Sequence, residues 1–129
     1  MKAIRDVYDK LTGWAPIAVT STKTSGAIDL ANVIENEIIL TPGLWTDGTH
    51  TPTLTYSGTA GGAGTYTTCA AGDLVGSFSV ISSTATAQSP QAVSYIGPYQ
   101  YVKLVDTVVG GTTGAILGVM ANVKYRKQP

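Results

Sequence analysis

Hydrophobic and polar residues alternate along most of the chain after residue 15. The clearest segment is PTLTYSG at 52–58, in which Leu54 and Tyr56 stand between threonines. This alternation is typical of a strand with one buried face. Further strands are predicted at 16–22, 26–33, 34–40, 65–70, 73–82, 91–97, 99–109 and 115–126. Eight or nine short strands at this spacing predict an all-β fold, an antiparallel β-sandwich of jelly-roll-like type or a barrel.

Glycine and proline mark the predicted turns between these strands. The pair Pro42–Gly43 predicts the end of the strand at 34–40, and Asp47–Gly48 supplies a position of positive φ. Gly97–Pro98 predicts a tight hairpin connection between two neighbouring strands. The segment GGTTG at 110–114 predicts the last turn before the final long strand.

The first residues follow a different pattern, with apolar positions at helical spacing. The stripe consists of Ile4, Val7, Tyr8 and Leu11. Charged residues fill the intervening positions, and Gly13 is suited to end a helix. The pattern predicts a short N-terminal helix or arm over 1–14, followed by a single β-sandwich domain over 15–129. A helix this short needs a surface to lie against, either on its own domain or on a neighbouring subunit.

Length and composition bound the function classes. The 129 residues correspond to one domain, and the formal net charge is +0. A balanced charge argues against nucleic-acid binding, which needs a basic excess. No apolar run reaches the roughly 20 residues of a membrane helix, so no membrane partner is expected. The polarity comes from 19 Thr and 9 Ser rather than from charges, which make up 12% of the chain.

The few charges are unevenly distributed. Between Glu37 and Lys103 the formal charges are Asp47 and Asp73 alone. Free-standing β domains usually protect their edges with charges, so this scarcity predicts a domain hidden in an assembly or surfaced with Thr and Ser. Three basic residues gather at the C-terminal end, namely Lys124, Arg126 and Lys127. They predict a solvated strand end with a salt-sensitive protein contact as the alternative.

The sequence offers little for catalysis by histidine or cysteine. His50 is the single histidine and has no evident partner in the sequence, so a catalytic triad is not expected. Cys69 is the single cysteine and has no basic neighbour, which predicts a small buried hydrophobe rather than a nucleophile. We therefore expect no catalytic residues and no enzyme activity.

Acidic residues and glycines do not form a convincing ligand site either. Three aspartates, Asp47, Asp73 and Asp106, are predicted at or near turns, where aspartate has a structural role. Glu35 and Glu37 share one face of a strand, as expected of a solvated edge. The glycine-rich segment at 60–64 lacks the Gly-Lys-Ser/Thr ending of a phosphate loop. No cofactor and no metal are expected.

Aromatic residues are concentrated in the predicted strands. The set comprises Tyr56, Tyr66, Tyr95, Tyr99, Tyr101, Tyr125 and Trp45. Such side chains are used in sandwich cores and subunit interfaces, and they also form sugar-stacking platforms. We favour core and interface roles, and a carbohydrate-binding module remains an alternative.

Three segments resemble a family of small virion proteins encoded in the head-gene cluster of tailed bacteriophages. They are TDGTHTPTLTYSG at 46–58, AGTYTTCAAGDLVGSF at 63–78 and the stretch from YIGPYQYVKLV to the end at 95–129. These match the family patterns "DGTHTP", "aGtytavaaaDLlGsf" and "YiGxxrYVRlvvtvxGxTTGAxxGvxavxgxxrxxP". The chain departs from the family at Gln100 and Lys103, where the pattern has two basic residues, and in its N-terminal segment.

The resemblance implies a capsid-associated β-sandwich that decorates or cements the assembled head. The expected partners are the major capsid protein and further copies of the chain, as a trimer rather than a dimer. The expected location is the capsid surface of the virion, after synthesis in the bacterial host cytoplasm. Another virion part, such as a neck, head-fibre base or tail protein, is the main alternative.

The sequence also yields candidate residues for the protein–protein contacts. They are Ile4, Val7, Tyr8, Leu11, Tyr99, Tyr101, Lys124, Arg126 and Lys127. The first four residues belong to the apolar stripe. Tyr99 and Tyr101 belong to the aromatic strand at 99–105, and the last three residues belong to the basic C-terminal end.

Overall fold

The computed structural model describes residues 8–58 and 64–126, and this part of the chain is all-β. Apart from one 3-10 turn at Ala71–Asp73, its regular elements are strands. In chain order these are β1 (Asp9–Val19), β2 (Lys23–Thr24), β3 (Ile28–Asp29), β4 (Val33–Trp45), β5 (Thr49–Ser57), β6 (Thr67–Thr68), β7 (Leu74–Val75), β8 (Gln91–Tyr95), β9 (Tyr101–Val109) and β10 (Ala115–Tyr125). The predicted all-β class is confirmed.

The strands form two antiparallel sheets in a sandwich-like arrangement. Sheet A has the order β1-β10-β4-β8-β7, and sheet B has the order β2-β9-β5-β6, with β3 also paired to β9. The long strands β10 and β4 lie at the centre of sheet A, and β5 pairs with β9 along its full length in sheet B. The central strands β4, β5, β9 and β10 supply most of the buried hydrophobic side chains.

Alternating positions of both sheets meet in one hydrophobic core. In sheet A, Leu40 of β4 stands opposite Val119 of β10, with Ile38 and Leu117 on the same inward face, and all four are at most 1% exposed. Sheet B contributes Leu54, Val102 and Leu104, and Ile81 from a loop. Each fully buried aliphatic side chain stabilises the fold by about 1.5–3 kcal/mol relative to exposure.

Several predicted strands are confirmed, but two predicted turns have a different role. Strand β4 continues through Pro42–Gly43, where a register shift against β10 absorbs the irregular residues. The Gly97–Pro98 connection is not a hairpin, because β8 belongs to sheet A and β9 to sheet B. The predicted strand at 73–82 is reduced to Leu74–Val75. Turn residues locate a change of direction, but they do not determine which sheet receives the next strand.

The predicted N-terminal helix is wrong where the structure describes it. Residues 9–13 belong to β1, which pairs with β10 from Asp9 opposite Val123 onward. A strand places positions three apart on opposite faces. Leu11 accordingly packs against the core, whereas the Tyr8 hydroxyl reaches Glu35 on the outer face of sheet A. Pairing with a long neighbouring strand overrides the local helical spacing, and Ile4 and Val7 lie outside the described residues.

Candidate interaction surfaces and a buried histidine–aspartate pair

His50 on β5 and Asp106 on β9 form a pair in the interior of the sandwich. His50 Nδ1 lies 2.8 Å from Asp106 Oδ2, and both side chains are 0% exposed. His50 stands opposite Val108, and Asp106 stands opposite Pro52, so the two are diagonal neighbours on the inward face of sheet B. The expectation that His50 lacks a partner is wrong.

The His50 ring has an oxygen at each of its two nitrogens. His50 Nε2 lies 3.3 Å from the main-chain oxygen of Asp47, and a carbonyl oxygen only accepts hydrogen bonds, so Nε2 is the donor in that contact. The other nitrogen, Nδ1, shares one hydrogen bond with the Asp106 carboxyl. Burial raises the pKa of the Asp106 carboxyl, while the hydrogen bond and charge of His50 oppose this rise. The arrangement is a buried, hydrogen-bonded pair closed to solvent, which suits a structural role.

Asp106 was expected at or near a turn, and this expectation is also wrong. It lies within β9, among inward residues that include Val102 and Leu104. The signal was present in the alternation itself, since both His50 and Asp106 fall on the apolar phase of their strands. Two ionisable residues on buried phases of different strands indicate that they are partners.

Asp47 connects the turn before β5 to the turn before β10. Its Oδ1 accepts backbone N–H groups of Thr112, Thr113 and Gly114 at 2.9, 3.1 and 2.7 Å. These three N–H groups, Thr112 first, hold the pKa of the Asp47 carboxyl below its ordinary value. The structural turn role predicted for Asp47 is confirmed. The TDGTH and GGTTG segments thus bind each other at one end of the sandwich.

Cys69 is buried, as the sequence predicted. Its side chain belongs to the core cluster, and its backbone N–H donates to the Leu54 carbonyl at 2.9 Å. Burial, with a smaller effect from the Asp73 charge, raises the pKa of the Cys69 thiol to about 11. The thiolate needed for nucleophilic attack is therefore disfavoured at neutral pH.

The two predicted contact tyrosines of the aromatic strand at 99–105 have separate environments. The Tyr99 ring stacks on Tyr56 with ring centroids 4.3 Å apart, and its side chain is 42% exposed. The Tyr101 hydroxyl accepts a hydrogen bond from Gln100 at 3.2 Å, and Tyr101 lies next to inward Val102 in β9 and thus faces outward from sheet B. The structure therefore does not assemble the aromatic strand into one platform.

Two of the basic contact candidates, Lys124 and Arg126, lie at the end of sheet A. Lys124 Nζ is 3.9 Å from Glu35 Oε1, and the Tyr8 hydroxyl also donates to Glu35. The structure thus brings Tyr8 and Lys124 together on the outer face of sheet A, opposite to the face where Leu11 packs. Arg126 is exposed and its backbone N–H donates to the Asn32 carbonyl, whereas Lys127 lies outside the described residues.

The outer face of sheet B carries a regular row of hydroxyls. Its exposed central part, which we call the threonine face, is formed by Thr24, Thr51, Thr53, Val105 and Thr107. Pairing places Thr24 and Thr53 on either side of Val105, and Thr51 opposite Thr107. These five residues are uncharged, and the same outer face continues to Lys103, two residues before Val105 on β9. The sequence predicted a hydroxyl surface, but the location on one sheet face required the structure.

The described ranges contain neither a metal-ligand cluster nor a membrane-spanning helix. Within residues 8–58 and 64–126, no three His, Cys, Asp or Glu side chains are grouped so that they could hold a metal ion. None of the helices in that part of the chain has the length and apolar character needed to cross a membrane.

Comparison with known proteins adds no relative. The chain matches no family model, no curated protein and no solved structure. The sequence motifs and the geometry described above are therefore the basis for the function proposed below.

Proposed function

We propose that this protein is a structural component of the virion of a tailed bacteriophage, which decorates and cements the assembled head. It acts as a homo-oligomer that binds the major capsid protein at the outer surface of the shell. The motifs at 46–58, 63–78 and 95–129 carry the resemblance on which this proposal rests. Three structural features support it.

The threonine face is the observation that carries the proposal furthest. A sheet surface whose central residues are uncharged contacts another protein at little desolvation cost, since hydroxyls exchange water for protein acceptors more easily than charged groups do. The face extends across three strands of sheet B, through Thr24, Val105 and Thr53 in one row. We assign the capsid contact to this face.

The placement of the reactive side chains also supports a structural role. The histidine is buried in its hydrogen-bonded pair with Asp106, and the Cys69 thiol is buried with a pKa of about 11. Asp47 is engaged by the turn at 112–114. Each of these groups serves the fold, which fits a protein that acts by shape and contact.

The strand order favours the jelly-roll form of the sandwich. Without the short β3 and β7, the sheets read β1-β10-β4-β8 and β2-β9-β5-β6. The chain passes between the sheets at nearly every connection, as in two interlocked Greek keys. Jelly rolls are common in viral capsid proteins and in lectins, an analogy that raises the weight of the proposal without replacing its test.

Stabilisation follows from binding only the assembled shell. A ligand that binds the assembled state shifts the disassembly equilibrium by mass action, and many copies per particle make the shift large. The test is to heat particles with and without the protein while following genome release. We expect a higher release temperature for decorated particles, and equal temperatures would contradict the proposal.

Paired variants test the assigned face. Thr51→Lys and Thr107→Lys place charges on the threonine face and should reduce occupancy of particles at least tenfold. Thr84→Lys changes an exposed threonine in a turn outside the sheets and should bind as the wild type does. Normal binding of the Thr51 and Thr107 variants would remove the threonine face from the proposal.

Two other outcomes identify the alternatives. A copy number of about a dozen or fewer per virion, together with unchanged release temperature, favours a neck or tail component. A change in Tyr or Trp fluorescence with a glycan panel, without binding to particles, favours a carbohydrate-binding module.

A further inference from the structure

The outer face of sheet A carries an apolar area at the centre of its long strands. We call it the apolar face and define it by Thr12, Ile39, Thr41, Ala92, Met120 and Ile116. Ile39 and Met120 are half-buried, and Ile116 is 40% exposed. None of the six residues is charged, and charges on this side of the sheet begin one row away with Lys10 and Glu37.

The two central strands pair complementary residues across this surface. Met120 of β10 stands directly opposite Ile39 of β4, and Lys124 stands opposite Glu35. The Lys124 and Glu35 side chains lie 3.9 Å apart within one chain and are 33% and 51% exposed, so a partner can still reach each of them. Across the line between β10 and β4, an apolar residue therefore pairs with an apolar residue, and a basic residue pairs with an acidic one.

We propose that this face binds the same face of a second copy, about a two-fold axis that runs parallel to the strands between β10 and β4. The rotation places each β10 residue above the β4 residue of the other copy. Lys124 then meets Glu35 of the second copy, and Met120 meets Ile39 of the second copy, each twice in the interface. Residues that are complementary across β10 and β4 of one copy thereby become complementary between the two copies, as a two-fold interface requires.

The proposal concerns the contact between copies. It rests on the homo-oligomer of the proposed function, for which it assigns a dimer in place of the trimer that the resemblance implies. The apolar face is on sheet A and the threonine face is on sheet B, so one molecule can use both at once. Loss of capsid binding with an intact dimer would contradict the capsid contact alone, and a monomer that still binds capsids would contradict the dimer alone.

The area of the proposed interface indicates how stable the dimer should be. Three strands about eight residues long and β8 with five residues, spaced ~4.8 Å with ~3.3 Å per residue, give a footprint of roughly 460 Å². A standard interface buries about 800 Å² per partner. We therefore expect a dimer that dissociates on dilution, since the footprint is below the standard size.

Sedimentation velocity of the full chain across a wide concentration range tests the proposal. We expect a monomer–dimer equilibrium. Thr41→Glu introduces a charge at an exposed position of the apolar face and should shift the dissociation constant upward at least tenfold. Thr51→Glu, the matched change on sheet B, should leave the equilibrium unchanged.

Charge reversal provides a second test, independent of the apolar contacts. Lys124→Glu alone and Glu35→Lys alone should each weaken the dimer, and the double variant should restore it. Far-UV circular dichroism and thermal unfolding establish that each variant is folded. A monomer at all concentrations, a trimer, or a dimer indifferent to Thr41→Glu would overturn the proposal.

Discussion

His50 and Asp106 are 56 residues apart in sequence, and their side chains meet at 2.8 Å with no exposure to solvent. A buried hydrogen-bonded pair of this kind stabilises the fold only while both partners are present, because removal of one leaves the other buried without its hydrogen bond. The pair also joins β5 to β9 and, through His50 Nε2, to the turn at Asp47. It links the interior of sheet B to the end of the sandwich where the two turns bind each other.

We expect single removal of either partner to be costly. Asp106→Ala should lower the free energy of unfolding by about 3–5 kcal/mol, because it leaves the His50 ring buried and unpaired. His50→Ala should have a similar effect, and the double variant should cost clearly less than the sum of the two. Urea unfolding at pH 7 measures the cycle, and Glu37→Ala, an exposed position, should change stability by less than about 0.5 kcal/mol. Additive losses would contradict the pairing.

Asp47 should make stability depend on acid. Because its pKa is lowered in the folded state, the unfolded chain takes up the proton first, near its ordinary pKa of about 3.9. The stabilisation is therefore complete above that value, and it is lost as the pH falls through the lowered folded pKa. The difference in unfolding free energy between wild type and Asp47→Asn should shrink between pH 6 and about pH 2.5.

The matched control for this prediction is Asp9→Asn, which removes a carboxylate at the exposed start of β1. It reports any general effect of a lost negative charge. A wild-type to Asp47→Asn difference that stays constant with pH would mean that the carboxylate charge does not hold the turn at 112–114.

Alanine substitutions at three glycines distinguish the destabilisation caused by a positive φ from that caused by a steric clash of the added Cβ. Gly114 has φ +79, and a Cβ there would lie 2.1 Å from the Val19 carbonyl oxygen. Gly110 has φ +73 with no atom near a Cβ, and Gly26 has neither constraint. Gly114→Ala should destabilise by more than about 3 kcal/mol, Gly110→Ala by about 1 kcal/mol, and Gly26→Ala by less than about 0.5 kcal/mol. Thermal unfolding gives the ranking, and a Gly114→Ala variant as stable as Gly26→Ala would be incompatible with the close approach of β1 to this turn.

Cys69 should be protected from thiol reagents in the native protein. With a pKa of about 11, the thiolate fraction at pH 8 is about 0.1%, and the side chain is buried as well. Reaction with a chromogenic disulfide should be at least about 100-fold slower for the native protein than for the protein in urea. Cys69→Ser supplies the blank, and equal rates in both conditions would show that the thiol is accessible.

Much of the fold follows from the sequence alone. The period-two alternation around Leu54 and Tyr56 predicts β5, and the all-β class follows from repeating that pattern along the chain. The Asp47–Gly48 turn is equally readable, and Gly48 does adopt φ +88. These features are local, since they depend on the phase of each side chain and on the backbone freedom of single residues.

Only the tertiary structure decided which strands are neighbours and which side chains meet. The helical spacing from Tyr8 to Leu11 is overridden because hydrogen bonds to β10 outweigh a short local preference. The partner of His50 lies on another strand, and its identity depends on the register of β5 against β9. Local pattern reports which face of a strand is buried, whereas register and sheet order arise from packing the whole core. For that reason the sequence by itself determined the strands and showed the scarcity of charge. The buried histidine–aspartate pair, the threonine face and the apolar face emerged only from the folded chain.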